Sequence, residues 1–361
     1  MSDRLLTLHA RLRKMGVDAL LFTTSEVVPS TNLRYLTGFT GSDAAILITA
    51  RERRFFTDGR YKTQAREQAT EFIVETVRDK IGALTRTLRT LGIARLGVES
   101  ARISYEQVIR LKNGVPGLEV VPLKRSFLEG FRARKSVEEK ATMCEAARIA
   151  SQACREVLDK GLIGRREVEV AGDLESHFRM LGADGASFET IVASGLRSAL
   201  PHGAASEKLV AEKELVVVDY GCRLHGYCSD ETVTCCTGKP SSDQKKIHLA
   251  VYDAHMRALS AVREGVNVRE VDRVARSVIE NAGYGKFFLH GLGHGVGLEV
   301  HEPPYLSPRG RGVLTEGMVF TIEPGIYVEG VGGVRLESLV YLGSAGAEVL
   351  CDMPKDLIVL G

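Results

Sequence analysis

The chain has 361 residues, and its 48 basic and 46 acidic side chains leave a net charge of +2. This balance gives no reason to expect nucleic acid or an anionic membrane as a partner, and no apolar run is long enough to span a bilayer. The amino-terminal residues lack the pattern of a signal peptide, and the seven cysteines include no Cys-x-x-Cys pair. We therefore expect one or two globular domains in the cytoplasm, with reduced thiols and no thiolate zinc site.

Residues 1–125 alternate between helical and strand patterns. A first helix is predicted at 4–15, and strands are predicted at 18–22, 44–49, 54–57, 72–76, 95–98 and 118–122. This alternation is typical of an α/β domain whose sheet is largely covered by helices. The polar and basic residues 126–135 are expected to link this domain to a second one at 136–361.

The second domain begins with a capping box, Ser136 and Glu139, which predicts a helix at 137–158. A second helix is predicted at 166–181. The string Arg-Glu-Val-Glu at its start is echoed 103 residues later by Arg-Glu-Val-Asp, again at the start of a helix that follows a longer one. We infer two duplicated halves, each with an antiparallel sheet, and expect a site between them.

Two carboxylates lie close together in the first half. Asp219 ends an apolar strand, and Asp230 follows eleven residues later. The interval Gly221–Gly226 is predicted to be a hairpin turn that places the two aspartates side by side on adjacent strands. Close carboxylates repel each other unless they are protonated or bridged by a cation. The alternative is that both are turn residues on a solvated edge.

Twelve residues from His290 to His301 contain three histidines and four glycines. Because glycine disfavours a helix by about 1 kcal/mol per position, we expect an extended segment that lets neighbouring groups approach its backbone closely. Glu323 then follows one apolar run, and Glu337 precedes another. A glutamate is rarely buried without a partner, so both are expected to have one.

The economical hypothesis is one site that contains these four carboxylates and a histidine of the 290–301 stretch. Four carboxylates carry too much negative charge for a single divalent ion, and two ions bridged by carboxylates balance the charge better. Oxygen-rich ligation with one nitrogen favours Mn²⁺, Co²⁺, Fe²⁺ or Zn²⁺. Two such ions about 3.5–4 Å apart activate water at neutral pH. The sequence therefore predicts metal-assisted hydrolysis.

The order of five residues resembles the metal-binding set of the methionine aminopeptidase and prolidase family, the pita-bread metallopeptidases: Asp219, Asp230, His294, Glu323 and Glu337. The strings His-Gly-x-Gly-His-x-x-Gly-x-x-x-His, Thr-Ile-Glu-Pro-Gly and Gly-Val-Arg-x-Glu resemble its Xaa-Pro branch, aminopeptidase P and prolidase. Segments 34–42 and 57–61 resemble the N-terminal domain of that branch. The resemblance implies an α/β N-terminal domain of the creatinase and prolidase type, and an α+β pita-bread catalytic domain of two pseudo-symmetric halves whose antiparallel sheet is flanked by helices.

The resemblance also implies a role for each ligand. Asp219 would bind one ion, His294 and Glu323 would bind the other, and Asp230 and Glu337 would bridge them. Glu323 would in addition act as the general base. Two divalent ions per chain are expected, with Mn²⁺ as the first choice and Co²⁺ or Zn²⁺ as alternatives.

Accessory residues follow from the same resemblance. His202 is expected to contact the substrate and take part in catalysis, and His301 to stabilise the tetrahedral intermediate. His290 is expected close to the substrate. Arg335 would either support the ligands near Glu337 or bind a substrate carboxylate.

A basic loop follows His301. Arg309 or Arg311 on this loop is expected to clamp a substrate carboxylate through two hydrogen bonds. A solvated basic turn is the alternative interpretation of the same two residues.

The implied activity is hydrolysis of the bond between an amino-terminal residue and proline. An Xaa-Pro aminopeptidase is placed first, and an Xaa-Pro dipeptidase restricted to dipeptides is the alternative. A creatinase-type amidinohydrolase shares the fold but lacks this metal set, and a non-catalytic peptide-binding module typically loses ligands. A proline-containing peptide and a second copy of the chain, in a homodimer, are the expected partners.

Two positions depart from the family pattern. The family usually has Thr-Arg-Thr after the bridging aspartate, where this chain has Val233 between two threonines. It usually has Glu-Asp at the second bridging ligand, where this chain has Ser338 after the glutamate. Neither departure removes a ligand, but both are expected to alter the support around the ligands.

Overall fold

The computed structural model describes residues 8, 10–12, 14–124 and 126–360. It divides into two compact units, Met1–Arg132 and Ala133–Gly361. Much of the helix predicted at 4–15 lies outside the described residues, and those of its residues that are described are helical. None of the described helices is both long and apolar enough to cross a membrane.

The first unit is built on a six-stranded mixed sheet. Its strands are β1 (Ala19–Thr24), β2 (Ala44–Thr49), β3 (Arg53–Thr57), β4 (Ile73–Thr76), β5 (Arg95–Glu99) and β6 (Glu119–Leu123), in the order β4-β3-β2-β1-β5-β6. Its helices are α1 (Thr31–Thr37), α2 (Lys62–Gln68), α3 (Lys80–Thr90), α4 (Tyr105–Gly114) and α5 (Ser126–Arg132). β1 is antiparallel to β2 and parallel to β5. The predicted α/β class is confirmed, and α5 occupies most of the segment that was predicted to be a linker.

The second unit contains two halves, each with a pair of helices and a sheet. The first half holds α6 (Val137–Asp159), α7 (Glu167–Met180), β7 (Gly185–Ala186), β8 (Ile191–Ser194), β9 (Leu215–Tyr220), β10 (Cys222–Leu224), β11 (Tyr227–Cys228) and β12 (Glu231–Thr237). The second half holds α8 (Ser242–Ala261), α9 (Val268–Asn281), β13 (Gly293–Gly295), β14 (Glu302–Leu306), β15 (Val319–Ile322), β16 (Gly325–Val328), β17 (Gly332–Arg335), β18 (Ser338–Gly343) and β19 (Gly346–Val349), and the chain ends with β20 (Ile358–Leu360).

Each half buries the apolar faces of its helices against a sheet. The sheet orders are β20-β12-β9-β8 in the first half and β14-β13-β15-β18-β19 in the second. Val157 and Phe178 of α6 and α7 belong to the same buried cluster as Val218 of β9. Val271 of α9 and Phe320 of β15 share the corresponding cluster of the second half. The predicted pair of related halves is confirmed. In each half a pair of helices precedes a central strand, β9 or β15, which pairs antiparallel with a later strand of the same half, β12 or β18.

The predicted turn at Gly221–Gly226 is wrong, although the strand adjacency inferred from it is right. β9 and β12 pair antiparallel, with Asp219 opposite Thr232. Between them β10 and β11 form a separate small hairpin. Its tight turn is at His225 and Gly226, which have φ values of 47° and 82°. The eleven-residue spacing leaves room for this extra hairpin, whose turn requires two residues of positive φ.

The glycine-rich stretch is closely packed, as predicted, but only Gly293–Gly295 form a strand, β13. Residues 297–301 are bends, so the prediction of one extended segment over 290–301 is wrong outside β13. β13 lies between β14 and β15 in the sheet. A Cβ atom on Gly293 would lie 2.0 Å from the carbonyl oxygen of Thr321, and one on Gly295 would lie 2.2 Å from that of Pro303. Both positions therefore exclude any side chain, because their neighbours are backbone atoms that cannot move aside independently.

We predict that Gly293→Ala lowers the free energy of unfolding by about 1–3 kcal/mol, because the added methyl group overpacks the sheet. Gly172→Ala is the matched control: Gly172 lies in α7, and its Cβ would meet no atom within 4 Å. That control should raise stability by about 0.5–1 kcal/mol, since alanine is the better helix former. Urea unfolding of the two variants checks this, and equal effects would contradict the close approach at Gly293.

Candidate active site

A cavity of about 590 Å³ opens in the second unit. It brings together nine of the residues that the sequence analysis selected: His202, Asp219, Asp230, His290, His294, His301, Glu323, Arg335 and Glu337. Arg309 and Arg311 are exposed on the loop after β14 and do not line the cavity. A carboxylate clamp at either arginine therefore stays a prediction.

The four carboxylates reach the cavity from strands of both halves. Asp219 lies near the end of β9, and Asp230 immediately precedes β12. Glu323 follows β15 directly, and Glu337 lies between β17 and β18. An isolated bridge between Thr232 and Glu337 joins the two halves at this point. The site therefore depends on the meeting of two sheets that are remote in sequence.

His294 lies among these carboxylates. Its Nε2 atom is 3.3 Å from Oε1 of Glu323 and 3.7 Å from Oδ2 of Asp230. Its Nδ1 atom is 3.1 Å from the carbonyl oxygen of Gly295. A hydrogen bond from Nδ1–H to this carbonyl fixes the ring orientation and leaves the lone pair of Nε2 directed toward the carboxylates. Potential ligand atoms of Asp230, His294 and Glu337 all lie within 4.8 Å of one another.

The protein environment opposes ionisation of these acids. Burial raises the pKa of Asp230 well above its usual range, and the charges of Glu337 and Asp219 raise it further. Burial and the neighbouring carboxylates Glu323 and Asp219 likewise raise the pKa of Glu337. Two unit charges about 4.8 Å apart repel by about 3.5 kcal/mol at an effective dielectric constant of 20. Since 1.4 kcal/mol corresponds to one pKa unit, this repulsion adds to the effect of burial and favours protonation or a bound cation.

Two further observations favour a cation over protonation. Oδ1 of Asp219 is buried and has no hydrogen-bond partner among the described residues. Burial lowers the pKa of His294, so its imidazole is neutral and able to act as a ligand. A buried acceptor without a donor, beside a neutral imidazole and acidic oxygens, is a donor set that suits a divalent metal.

Two threonines that the sequence analysis missed hold the acidic groups in place. The hydroxyl of Thr321 accepts a hydrogen bond from the backbone N–H of His294 (3.0 Å) and donates one to Oε1 of Glu323 (3.1 Å). The hydroxyl of Thr232 donates to Oε2 of Glu337 at 2.6 Å. Each threonine lies two residues from an acidic residue, Glu323 or Asp230. This spacing on a strand places them on the same face and was a usable signal.

Arg335 supports the opposite side of the cluster. One terminal nitrogen donates to Oδ2 of Asp219 at 2.5 Å. The other donates to the hydroxyl of Tyr327 and to the carbonyl oxygen of Pro201, both at 2.9 Å. Arg335 therefore orients Asp219 and also ties down the loop that carries His202. Tyr327 is the further residue that sequence reasoning did not find.

The other histidines of the stretch are neutral in this environment. Burial lowers the pKa of His290, whose Nδ1 is 2.7 Å from the carbonyl oxygen of Gly291 and whose Nε2 is 3.0 Å from the Tyr327 hydroxyl. Partial burial and the adjacent His294 lower the pKa of His301 to about 4. The rings of His294 and His301 are 4.2 Å apart between centroids. Two neutral imidazoles therefore border the acidic cluster, and both can form hydrogen bonds.

Comparison with known proteins gives the class. Residues 141–344 match the model of metallopeptidase family M24, and residues 4–133 match the creatinase/prolidase N-terminal domain. The chain belongs to metallopeptidase family M24. The two matches confirm the predicted combination of a creatinase-type α/β domain with a pita-bread domain, and they confirm that the protein is a metallopeptidase.

Relatives of known structure or stated activity cover nearly the whole chain. The Xaa-Pro dipeptidase of Bacillus anthracis is 38% identical, with 99% of each chain covered and a TM-score of 0.94. The Xaa-Pro dipeptidase of Pyrococcus horikoshii is 35% identical over 359 residues, which cover 99% of both proteins. The X-Pro aminopeptidase of Thermotoga maritima is 38% identical, with 97% and 99% covered and a TM-score of 0.91.

We predict that Thr321→Val weakens the affinity for divalent metal by about tenfold or more, because it removes a hydroxyl that orients both His294 and Glu323. The matched control is Thr190→Val, since the buried Thr190 hydroxyl has no hydrogen-bond partner within the described part of the chain. Calorimetric titration of the metal-free proteins measures both effects. Wild-type affinity in Thr321→Val would show that this hydroxyl does not organise the site.

Proposed function

We propose that this metallopeptidase is an Xaa-Pro dipeptidase, which cleaves the bond between an amino-terminal residue and proline in a dipeptide. The observation that carries the proposal is the convergence of four carboxylates on one neutral histidine, His294, inside a single cavity. Full-length similarity to the Xaa-Pro dipeptidases of Bacillus anthracis and Pyrococcus horikoshii supports the choice of substrate. It favours the dipeptidase alternative over the aminopeptidase that the sequence analysis placed first.

We assign two divalent ions to this cluster. Asp219 would hold one, His294 and Glu323 the other, and Asp230 and Glu337 would bridge them. When bound, such ions lower the pKa of water toward 7 and polarise a carbonyl group. Mn²⁺ is the first candidate because the ligand set is rich in oxygen and contains one nitrogen.

The residues of the chain supply the proton transfers and the hydrogen bonds of the reaction. Glu323, which accepts a hydrogen bond from Thr321, would accept the proton that the attacking water loses and pass it to the departing nitrogen of proline. His301, whose pKa is lowered to about 4, is neutral and would donate an N–H to the oxygen of the tetrahedral intermediate. His202 would bind the substrate from the loop fixed by Arg335.

The cavity also offers an apolar surface beside the acidic cluster. Its lining includes Phe188, Ile191, Pro201 and Val300. An apolar wall next to a few directed polar groups is typical of small-molecule sites. Such a wall suits the pyrrolidine ring of proline, which has no N–H to satisfy in a peptide bond.

The substrate assay compares Ala-Pro with Ala-Pro-Ala after dialysis into Mn²⁺, with Ala-Ala-Ala as a control. We expect cleavage of Ala-Pro and little or none of the tripeptides. Cleavage of Ala-Pro-Ala between alanine and proline would instead establish the aminopeptidase, the second candidate supported by the Thermotoga maritima relative. Cleavage of neither peptide by metal-loaded protein would overturn both.

We predict that Asp230→Ala or Glu337→Ala reduces the hydrolysis of Ala-Pro to a few per cent of the wild-type rate or less, because loss of a bridging carboxylate removes a ligand from both metal positions. Glu212→Ala, at an exposed position before β9, is the control and should leave the rate unchanged. Metal analysis of the purified variants accompanies the assay. Wild-type metal content in either variant would contradict the bridging assignment.

A further inference from the structure

A buried ion pair lies behind the acidic cluster. Glu231 is the residue after Asp230, and only 1% of its surface is exposed. Successive residues of a strand point to opposite faces, so Glu231 turns away from the cavity when Asp230 turns toward it. A buried carboxylate is costly unless it is paired and hydrogen-bonded. We call the side of β12 that is turned away from the cavity the rear face. The groups that pair with Glu231 show which residues stabilise a charge there.

Glu231 has three partners from two distant segments. Nζ of Lys355 lies 2.7 Å from Oε1, and the two side chains are 9% and 2% exposed. The backbone N–H of Met353 donates to the same oxygen at 3.3 Å. The hydroxyl of Ser151 in α6 donates to Oε2 at 2.6 Å. One carboxylate thus joins β12 to α6 and to the segment 351–357 near the carboxyl terminus.

The segment 351–357 is tied to β12 a second time. β20, which follows it, pairs parallel with β12, and Cys235 lies opposite Ile358. The hydroxyl of Ser151 also accepts a hydrogen bond from the backbone N–H of Asp352 at 3.2 Å. The position of Lys355 is therefore fixed by the backbone on both sides of it.

The residue after the second bridging carboxylate also has a buried polar partner. Ser338 follows Glu337, and its hydroxyl is 3.1 Å from Nε2 of His255 in α8. Burial and the charge of Lys355 lower the pKa of His255 to about 3, so this ring is neutral. Burial works to lower the pKa of Lys355, but Glu231 and more weakly Glu337 raise it, so the lysine keeps its positive charge. That charge is paired with Glu231, the residue after Asp230, and interacts electrostatically with Glu337.

The two positions at which this chain departs from the family pattern are also buried. The positions that usually carry Arg and Asp are Val233 and Ser338, which are 0% and 1% exposed. Neither side chain is charged here. The ion pair in this chain is formed by Glu231 and Lys355.

We propose that Glu231 and Lys355 are positioning residues for the bridging carboxylates Asp230 and Glu337, and that the segment 351–357 is thereby a working part of the metal site. This inference rests on the proposed two-metal function. The ion pair fixes the start of β12 from behind, and the charge of Lys355 also attracts Glu337, so that the repelling carboxylates in front are held at the separation that a pair of cations requires.

The test uses metal-free full-length protein and titration with Mn²⁺ by calorimetry, together with the unfolding temperature of the metal-free protein. The central variant is the double substitution Glu231→Gln/Lys355→Met, which leaves no uncompensated buried charge and is expected to fold. We expect its Mn²⁺ affinity to fall at least tenfold while its metal-free unfolding temperature stays close to that of the wild type. Lys355→Arg, which keeps the charge, should retain most of the affinity.

Lys140→Met is the matched control, because Lys140 pairs with Glu348 on the exposed surface of the same unit. It should change neither quantity. If the double variant does not fold, Glu231→Gln/Lys355→Gln replaces it, since this pair is also uncharged and its two amides can still hydrogen-bond to each other. Wild-type affinity in the double variant, or a loss of affinity only in proportion to a lower metal-free unfolding temperature, would overturn the proposal.

The outcome separates this proposal from the one on which it rests. Wild-type protein that binds Mn²⁺ and cleaves Ala-Pro, with unchanged affinity in the double variant, would leave the proposed function in place and remove the positioning role. Wild-type protein that binds no Mn²⁺ would overturn both.

Discussion

Repulsion among buried carboxylates is the constraint on which the catalytic unit depends. Asp230, Glu323 and Glu337 all have raised pKa values, because burial and the charges of neighbouring carboxylates, Asp219 among them, penalise the charged form. No short segment could hold such groups together, since neighbouring residues on one strand point to opposite faces. Two sheets from two halves of the unit deliver them separately. The fold therefore brings together acidic side chains that repel one another.

Hydrogen bonds to uncharged and cationic partners make that convergence stable. Thr321 and Thr232 each donate to a glutamate, and Arg335 neutralises Asp219 while it holds the loop before His202. Buried acids supported in this way keep one orientation, which is what a metal site of fixed geometry needs. The ion pair of Glu231 and Lys355 gives the rear face the same kind of support.

The neutrality of the histidines follows from the same environment. Burial lowers the pKa values of His290 and His294, and each ring donates its Nδ1–H to a backbone carbonyl of the next residue. The glycines between them allow those carbonyls and the adjacent strands to approach closely. β13 and the residues just before it thereby bring two neutral imidazoles to the cavity without adding charge.

The sequence by itself determined the order of the candidate site residues and predicted that the acidic ones and a histidine meet in one site, as they do in the cavity. Asp219 and Glu323 each end an apolar run, where a carboxylate needs a partner, and the glycines of the 290–301 stretch disfavour a helix. The turn between β9 and β12 and the partners of Arg335 could not be predicted in this way. Those features depend on which distant strands become neighbours, and local propensity contains no information about contacts between residues a hundred positions apart. Only the tertiary structure decided that Arg309 lies outside the cavity and that Glu231 meets Lys355, because both follow from how the two sheets and the carboxyl-terminal segment pack.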